Sequence, residues 1–180
     1  MSNRTFLSCL SFAICSFWIS ACAGPPNEAM TAAEQTISNA IAAEVDKYAP
    51  TEFGEASAEL EKAKAHMAAE EYSDAKVSAE KTISLIETAN QEMLVQKELT
   101  KREIDNALPA FMDHWGEISG NIEKGRGREA RTLAQEAKAF VDTLQIQLND
   151  LKTAEKWYDL KVLLETANEK ANSFAERAGG

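Results

Sequence analysis

The chain has 180 residues, a formal net charge of −10, 44% apolar residues and 27% charged residues. This length allows one ordinary domain or two small ones, and the apolar content is sufficient for a core. Abundant alanine and a low aromatic content favour helices over strands. The acidic balance argues against a nucleic-acid partner, because phosphate backbones are bound by basic surfaces.

The first 22 residues have the organisation of a secretory signal. Arg4 is the only charged residue, and an apolar run from Thr5 to Ile19 and then small residues follow it. A membrane-spanning helix needs about 20 apolar residues, whereas serines interrupt this run repeatedly. An uncleaved anchor helix is therefore the weaker interpretation.

The four residues ISAC, 19–22, form a pattern of one aliphatic residue and two small residues before a cysteine. This pattern resembles the lipobox of bacterial lipoproteins. The resemblance implies cleavage between Ala21 and Cys22 by signal peptidase II, a diacylglycerol on the Cys22 thiol and an acyl chain on its new amino group. Cys9 and Cys15 would leave with the signal, so Cys22 would be the only cysteine and no intrachain disulfide could form. Two or more lipid chains anchor a protein stably.

A short tether follows Cys22 and would keep the rest of the chain close to the membrane. Pro25 and Pro26 disfavour a helix before them, and residues 22–28 span at most about 25 Å when extended. By the same resemblance, Ala23 in place of aspartate corresponds to the outer-membrane default. Removal of residues 1–21 takes away Arg4 alone, so the net charge changes from −10 to −11 and lipid headgroups would not attract the chain.

Amphipathic helices are predicted after the tether. Residues 31–48 place apolar side chains on one helical face, and Ala49-Pro50 ends that helix. A second helix begins at Ala49 or Thr51, and Ser73 is a good N-cap for a third. The third helix extends to the residues before Pro109, because it contains neither glycine nor proline, and Pro109 suits the first turn of a fourth.

The fourth predicted helix ends at Gly125-Arg126-Gly127. Residues 128–178 are predicted to be helical, either as one helix or as two with a break near 149–153. Helices of this length fit an elongated antiparallel bundle better than a solenoid of short tetratricopeptide hairpins.

An internal repeat is visible at an offset of 55 residues. Residues 67–89 align with residues 122–144, each as a short helix, a tight turn and a longer helix. The alternative is an accidental match between alanine-rich amphipathic helices. Alanines are predicted where helices would approach closely, at Ala63, Ala75, Ala79, Ala130 and Ala134.

No catalytic constellation is predicted. The motifs GxSxG, HExxH, Walker A, GxGxxG and CxxC do not occur. His66 and Glu70 are one helical turn apart, but a metal site needs three or four ligands, so a solvated pair is the favoured interpretation. His114 follows Asp113, and adjacent side chains on a helix point apart. We therefore expect no cofactor, no metal site and no enzymatic activity.

Two groups of residues are candidates for partner contact. Arg126, Arg128 and Arg131 form a basic spot at a turn, which is either a grip for an anionic partner or turn chemistry balanced by nearby glutamates. Trp157 and Tyr158 are neighbours on a predicted helix, so they cannot both face one core. Either one ring is exposed as an interface anchor, or both rings are packed where the helix bends.

Several short motifs follow one another in the first half of the chain: the run CAGPPNEAM, the turn Tyr48-Ala49-Pro50, the spacing Ala56, Leu60, Ala63, and Glu71-Tyr72 with Ala75 and Ala79. Over residues 22 to about 95 they resemble a family of alanine-rich helical lipoproteins of proteobacteria whose shared domain has no assigned function. Many members of that family carry an OmpA-type peptidoglycan-binding domain afterwards, whereas residues 109–180 here continue as helix. The resemblance therefore implies a lipid-anchored helical domain without that wall-binding part.

The sequence predicts an all-α protein, an elongated antiparallel helical bundle built from long, coiled-coil-like hairpins and preceded by a cleaved signal peptide. The predicted regions are the signal peptide 1–21, the lipidated cysteine and tether 22–30, a first hairpin region 31–108 and a second hairpin region 109–180.

The leading functional hypothesis is a non-enzymatic scaffold or adaptor of the cell envelope, anchored in the outer membrane through Cys22 and facing the periplasm. The alternative is a helical binding module that holds an apolar or peptide ligand between its hairpins. The expected partners are the membrane, through the lipid, and other envelope proteins, and a homo-oligomer is compatible with the sequence.

Overall fold

The computed structural model describes residues 24–179, and within this range it contains six α-helices and no strand. The predicted all-α helical bundle is confirmed. The predicted signal peptide and lipidated Cys22 lie outside the described residues. No helix between residues 24 and 179 is both long enough and apolar enough to cross a membrane. The helices are α1 (Asn27–Ala42), α2 (Val45–Tyr48), α3 (Pro50–Ala68), α4 (Tyr72–Lys124), α5 (Arg128–Thr153) and α6 (Trp157–Gly179).

The helix α4 is a single 53-residue element, about 80 Å long at 1.5 Å per residue. The helix boundary predicted at Pro109 is wrong, because Pro109 lies inside α4. A proline in a helix interior costs about 3 kcal/mol. Phe111 and Trp115 lie on the next two turns and are only 2% and 6% exposed. Burial of each such ring contributes about 2 kcal/mol or more, so packing offsets the proline and the helix continues.

Two helical bundles share α4. The N-terminal bundle consists of α1, α2 and α3 against the first part of α4, and the C-terminal bundle consists of α5 and α6 against its last part. Within residues 24–179, the N-terminal bundle has two apolar core clusters and the C-terminal bundle has one. α3 and α5 run antiparallel to α4, whereas α6 runs parallel to it, since Lys161 pairs with Glu103 and Asn172 contacts His114 at the same offset of 58 residues.

Small side chains allow close helix packing in the N-terminal bundle. Ala63, Ala75 and Ala79 are 0% exposed, as expected for positions of close approach. Ala130 and Ala134, predicted to play the same part later in the chain, are only half-buried. Aromatic rings fill the C-terminal bundle instead, with centroid separations of 5.2–5.6 Å among Trp115, Phe140 and Phe174.

Other helix boundaries also differ from the prediction. The helix expected over residues 31–48 ends at Ala42, and α2 begins at Val45. The predicted N-cap Ser73 lies inside α4, whose N-cap position is Glu71 without a side-chain hydrogen bond. Of the two alternatives predicted for residues 128–178, the structure has two helices, and the break lies at 154–156, just after the predicted 149–153. Each of the turns after α1, α3 and α5 contains a glutamate in the left-handed region: Glu44 (φ 65°), Glu70 (φ 61°) and Glu155 (φ 53°).

The α3–α4 and α5–α6 turns share one backbone geometry and a similar sequence. Residues 69–77 read AEEYSDAKV and residues 154–162 read AEKWYDLKV, an offset of 85 residues. The Glu71 N–H donates to the His66 carbonyl at 2.9 Å, and the Lys156 N–H donates to the Leu151 carbonyl at 2.9 Å. The α4–α5 turn, which the offset of 55 residues aligns with the α3–α4 turn, has a different backbone with Gly127 at φ 99°. In backbone geometry, the α3–α4 turn therefore corresponds to the α5–α6 turn and not to the α4–α5 turn.

Candidate interaction site at the junction of the two bundles

The side chain of Tyr48 joins the two bundles. The backbone N–H of Tyr158 donates a hydrogen bond of 2.8 Å to the Tyr48 hydroxyl oxygen, and the two rings meet edge to face with centroids 5.9 Å apart. Because α6 begins at Trp157, this amide is one of the four at the helix start that have no acceptor within the helix. Tyr48 is 6% exposed, and burial raises the pKa of its phenol. A buried side chain 110 residues away thus caps α6.

An ionic network lies beside this pair of tyrosines. Glu44 Oε1 accepts hydrogen bonds from Lys156 Nζ at 2.8 Å and from Lys47 Nζ at 3.0 Å. Lys47 Nζ also donates to Asp159 Oδ1 at 2.8 Å. Two of these three contacts connect residues that are 112 positions apart in the chain. The left-handed Glu44 turn between α1 and α2 therefore docks directly on the start of α6.

The charges of this network reinforce one another. Burial alone would raise the pKa of Glu44, but the hydrogen bonds from Lys156 and Lys47 outweigh it and lower the pKa below its usual value of 4.5. Hydrogen bonds to Asp159 and Glu44 raise the pKa of Lys47. These shifts extend the pH range over which Glu44 and Lys47 are both ionised. Partly exposed pairs contribute at most about 1 kcal/mol each, so the network fixes the orientation of the bundles more than it stabilises them.

A groove of about 270 Å³ borders the junction and is open to solvent. Its walls are amphipathic, with hydroxyl, amide and charged groups beside one aliphatic side chain. Such a surface suits contact with another polypeptide, and it contains neither histidine nor cysteine. The lining residues are Lys47, Tyr48, Gln96, Thr100, Tyr158, Lys161, Val162 and Glu165.

The predicted aromatic pair divides at this junction. Trp157 is 8% exposed and belongs to the core of the C-terminal bundle, with Lys101 Nζ 5.6 Å from its ring centroid. Tyr158 is 38% exposed and covers Tyr48. Adjacent helical residues point in different directions, which explains the division. Tyr158 is therefore the member of the pair that an approaching partner would meet.

The predicted basic spot lies elsewhere. Arg126, Arg128 and Arg131 are exposed at the α4–α5 turn, at the end of the rod, and none of them has a carboxylate within 4.0 Å among residues 24–179. The 25 residues of α4 from Thr100 to Lys124 correspond to about 37 Å. The structure therefore does not bring the arginines and the aromatic pair into one site.

The histidines contact groups other than those considered from sequence. His66 Nδ1 lies 2.6 Å from Glu71 Oε2, so the pairing with Glu70 is wrong, because Glu70 is the left-handed residue of the turn. Ligand atoms of His66, Glu71 and Asp74 lie within 4.8 Å of one another and could hold a cation. His66 and Glu71 have side chains 34% and 53% exposed, and their hydrogen bond closes the α3–α4 turn. At the C-terminal bundle, His114 Nε2 lies 3.1 Å from Asn172 Oδ1 rather than against Asp113.

Sequence reasoning selected Tyr158 but missed its partners. Tyr48 was visible only as part of the Tyr48-Ala49-Pro50 motif, and Lys156 and Asp159 flank the aromatic pair without any pattern of their own. The break at Glu44 has no glycine or proline to announce it. The likeness between AEEY at residues 69–72 and AEKW at residues 154–157 is the signal that would have indicated a helix start at Trp157.

The comparisons with known proteins concern the first part of this architecture. A family described as a domain of unknown function (DUF4398) matches residues 28–107. The match covers α1, α2, α3 and α4 as far as Ala107, and it includes Glu44, Lys47 and Tyr48. It leaves out α5 and α6, which supply the other half of the junction. No curated protein and no solved structure matches the chain.

Residues 28–107 thus match the DUF4398 family, and the expected resemblance to a helical family without an assigned function is confirmed to that extent. In the structure, α4 continues beyond the matched residues and carries a second bundle. Three residues in the matched range contact α6 or the turn before it. Tyr48 accepts a hydrogen bond from the Tyr158 N–H, Glu44 accepts one from Lys156, and Lys47 donates one to Asp159.

Proposed function

We propose that the protein is a lipid-anchored, non-enzymatic scaffold or adaptor of the cell envelope, held in the outer membrane through Cys22 and extending into the periplasm. The observation that carries this proposal is the position of the start of α1 at one end of a rod whose longest helix, α4, is about 80 Å long. Met30 packs with Leu60, Ala63 and Met67, near the α3–α4 turn. The α4–α5 turn with its arginines lies at the opposite end.

An anchor at Cys22 would therefore sit five residues before α1, which begins at Asn27. The rod would be attached by its end, with the junction near its middle and the arginine turn farthest from the tether. Such a layout suits a spacer that offers contact surfaces to other envelope proteins at defined distances. The membrane-facing contact would come from the lipid, since residues 22–46 contain neither lysine nor arginine.

The packing favours this role over the alternative of a binding module for an apolar or peptide ligand. That alternative calls for a cavity between the hairpins. Alanines that are 0% exposed bring the helices of the N-terminal bundle into contact, for example Ala33, Ala63 and Ala79. The grooves on the rod surface have volumes of about 170–470 Å³ and are open to solvent.

The anchoring half of the proposal is tested by substitution of cysteines in the full chain expressed in a bacterial host. Cys22→Ala should abolish labelling by radioactive palmitate and release the protein from the membrane fraction. Cys15→Ala is the matched control and should leave both unchanged. Membrane retention and labelling of Cys22→Ala would contradict the anchor.

The scaffold half is tested by photo-crosslinking in intact membranes. A photoreactive amino acid is placed at Tyr158 in the junction or at Arg128 in the far turn, and the captured proteins are identified by mass spectrometry. Specific envelope proteins should be captured from at least one position and lost with Cys22→Ala. Absence of any specific adduct at both positions, or saturable turnover of a small molecule by the purified protein, would refute the scaffold role.

A further inference from the structure

Exposed apolar side chains concentrate where the two bundles meet. Between the part of α4 that packs on α3 and the part that packs on α5 lies a segment, residues 94–103, that we call the waist. Leu94, Val95 and Leu99 in the waist are 57%, 54% and 41% exposed. Tyr158 and Val162 on the first turns of α6 are 38% and 45% exposed. A concentration of exposed large apolar side chains is typical of a surface that a partner covers.

The outer face of α4 through the waist has the spacing of a coiled-coil seam. Six residues recur at alternating intervals of four and three, which keeps them on one face of a helix. We call this set the seam. Its members are exposed except for Glu92, which is half-buried. They are Thr88, Glu92, Val95, Leu99, Arg102 and Asn106.

The chemistry of the seam is symmetric about its centre. The two apolar residues Val95 and Leu99 stand in the middle, Glu92 and Arg102 stand outside them, and polar Thr88 and Asn106 stand at the ends. When two copies of such a helix cross antiparallel about a two-fold axis, each Val95 meets a Leu99 and each Glu92 meets an Arg102. A parallel pair would set Glu92 against Glu92 and Arg102 against Arg102, which is repulsive.

Each charged side chain of the seam has one partner on its own helix and remains accessible to a second. Arg102 is 67% exposed and reaches Glu98 only at 3.4 Å, and Glu92 accepts one hydrogen bond of 2.8 Å from Gln96. The centre of the seam also lies close to the middle of α4, whose ends are Tyr72 and Lys124. A two-fold axis there lets two rods overlap along their full length, as an isologous interface requires.

The charge distribution along the rod favours the same orientation. Residues 24–98 contain 15 acidic and 6 basic residues, whereas residues 99–180 contain 14 acidic and 12 basic residues. An antiparallel pair sets the strongly acidic half of one copy beside the nearly balanced half of the other, including its arginine turn. A parallel pair would set the two acidic halves side by side.

We propose that the seam of α4 is a homodimer interface, in which a second copy of this chain packs antiparallel across the waist with Val95 and Leu99 at its centre. Glu92 of one copy pairs with Arg102 of the other, twice by symmetry. The exposed Tyr158 and Val162 of α6 flank this contact. The proposal goes beyond the scaffold role and does not depend on lipidation, because all the residues involved belong to the rod.

Sedimentation equilibrium of residues 23–180 tests the proposal, since both bundles and all their cores lie within this range. The wild-type rod should form a dimer with a dissociation constant below about 100 µM, as expected for an interface at the small end of the size range. Val95→Glu with Leu99→Glu should raise the dissociation constant about 100-fold or more, because four carboxylates would enter the apolar centre. Ile146→Glu is the control. Ile146 lies on α5 and not on the seam face of α4, and it is 64% exposed, so this variant should dimerise like wild type.

Charge exchange tests the orientation. Glu92→Arg alone should raise the dissociation constant about tenfold, because two arginines would face each other at both ends of the interface. Addition of Arg102→Glu should restore the wild-type value, since the antiparallel pairing then regains one acid and one base at each contact. Circular dichroism checks that every variant keeps its helices. A wild-type rod that stays monomeric at 100 µM, dimerisation unaffected by the two glutamates, or a double exchange no better than Glu92→Arg would each overturn the proposal.

Discussion

Removal of one oxygen atom at the junction should weaken the attachment between the bundles. Tyr48→Phe keeps the ring and its edge-to-face contact with Tyr158 but deletes the acceptor of the 2.8 Å hydrogen bond from the Tyr158 N–H. A hydrogen bond of this kind contributes about 0.5–1.5 kcal/mol, and loss of an N-cap acceptor costs about 1 kcal/mol. We therefore expect the free energy of unfolding to fall by about 1–2 kcal/mol.

The matched control is Tyr158→Phe. It removes the same atom from the other ring, but the Tyr158 hydroxyl forms no hydrogen bond within residues 24–179 and the residue is 38% exposed. Its effect should stay within about 0.5 kcal/mol.

Urea unfolding of residues 23–180 separates the two bundles by signal. Both tryptophans in this range, Trp115 and Trp157, lie in the core of the C-terminal bundle, so their fluorescence reports on that bundle, whereas circular dichroism at 222 nm reports on both. Tyr48→Phe should lower the fluorescence midpoint although Tyr48 lies in the other bundle. Equal effects of the two Phe variants, or no shift of the fluorescence midpoint by Tyr48→Phe, would show that the hydroxyl does not couple the bundles.

Five further substitutions probe the backbone and the charges of the rod. Glu70→Gly and Glu155→Gly should each raise the free energy of unfolding, measured by thermal unfolding, by about 0.5–1 kcal/mol, because glycine adopts positive φ without strain. Glu44→Gly should not raise this free energy, because the variant loses the contacts with Lys47 and Lys156. Pro109→Ala should raise that free energy by about 1–3 kcal/mol, and a decrease would show instead that the C-terminal bundle needs a bend at this position. Hydrogen bonds from Lys62 and Lys81 lower the pKa of Glu59 from 4.5 to about 2, so its stabilisation, at most about 3 kcal/mol, is present above pH 4.5 and is lost as the pH falls towards 2. Glu59→Gln should reduce the free energy of unfolding at pH 7 and make it depend less on pH between 4.5 and 2. An unchanged pH dependence in this range would exclude Glu59 as its source.

Local patterns in the sequence determined the class of the protein and its inward-facing residues. Periodicity and composition were sufficient for the all-α bundle, for buried Ala63 and Ala79, and for the turn after Lys124. They were sufficient because apolar spacing and helix propensity act over one or two turns. The same reasoning identified Trp157 and Tyr158 as neighbours that cannot both face one core, but it left open whether one ring is exposed or both are packed.

Tertiary contacts decided the rest. α4 passes through Pro109 because Phe111 and Trp115 bury their rings on the next turns, an energy that the local sequence around a proline does not reveal. The junction depends on Glu44 and Tyr48 meeting residues 110–112 positions later, and no short pattern encodes such a separation. Whether a helix ends at a given residue depends on which partners its apolar face and its unpaired backbone groups find across the fold. Those partners exist only once the chain is packed.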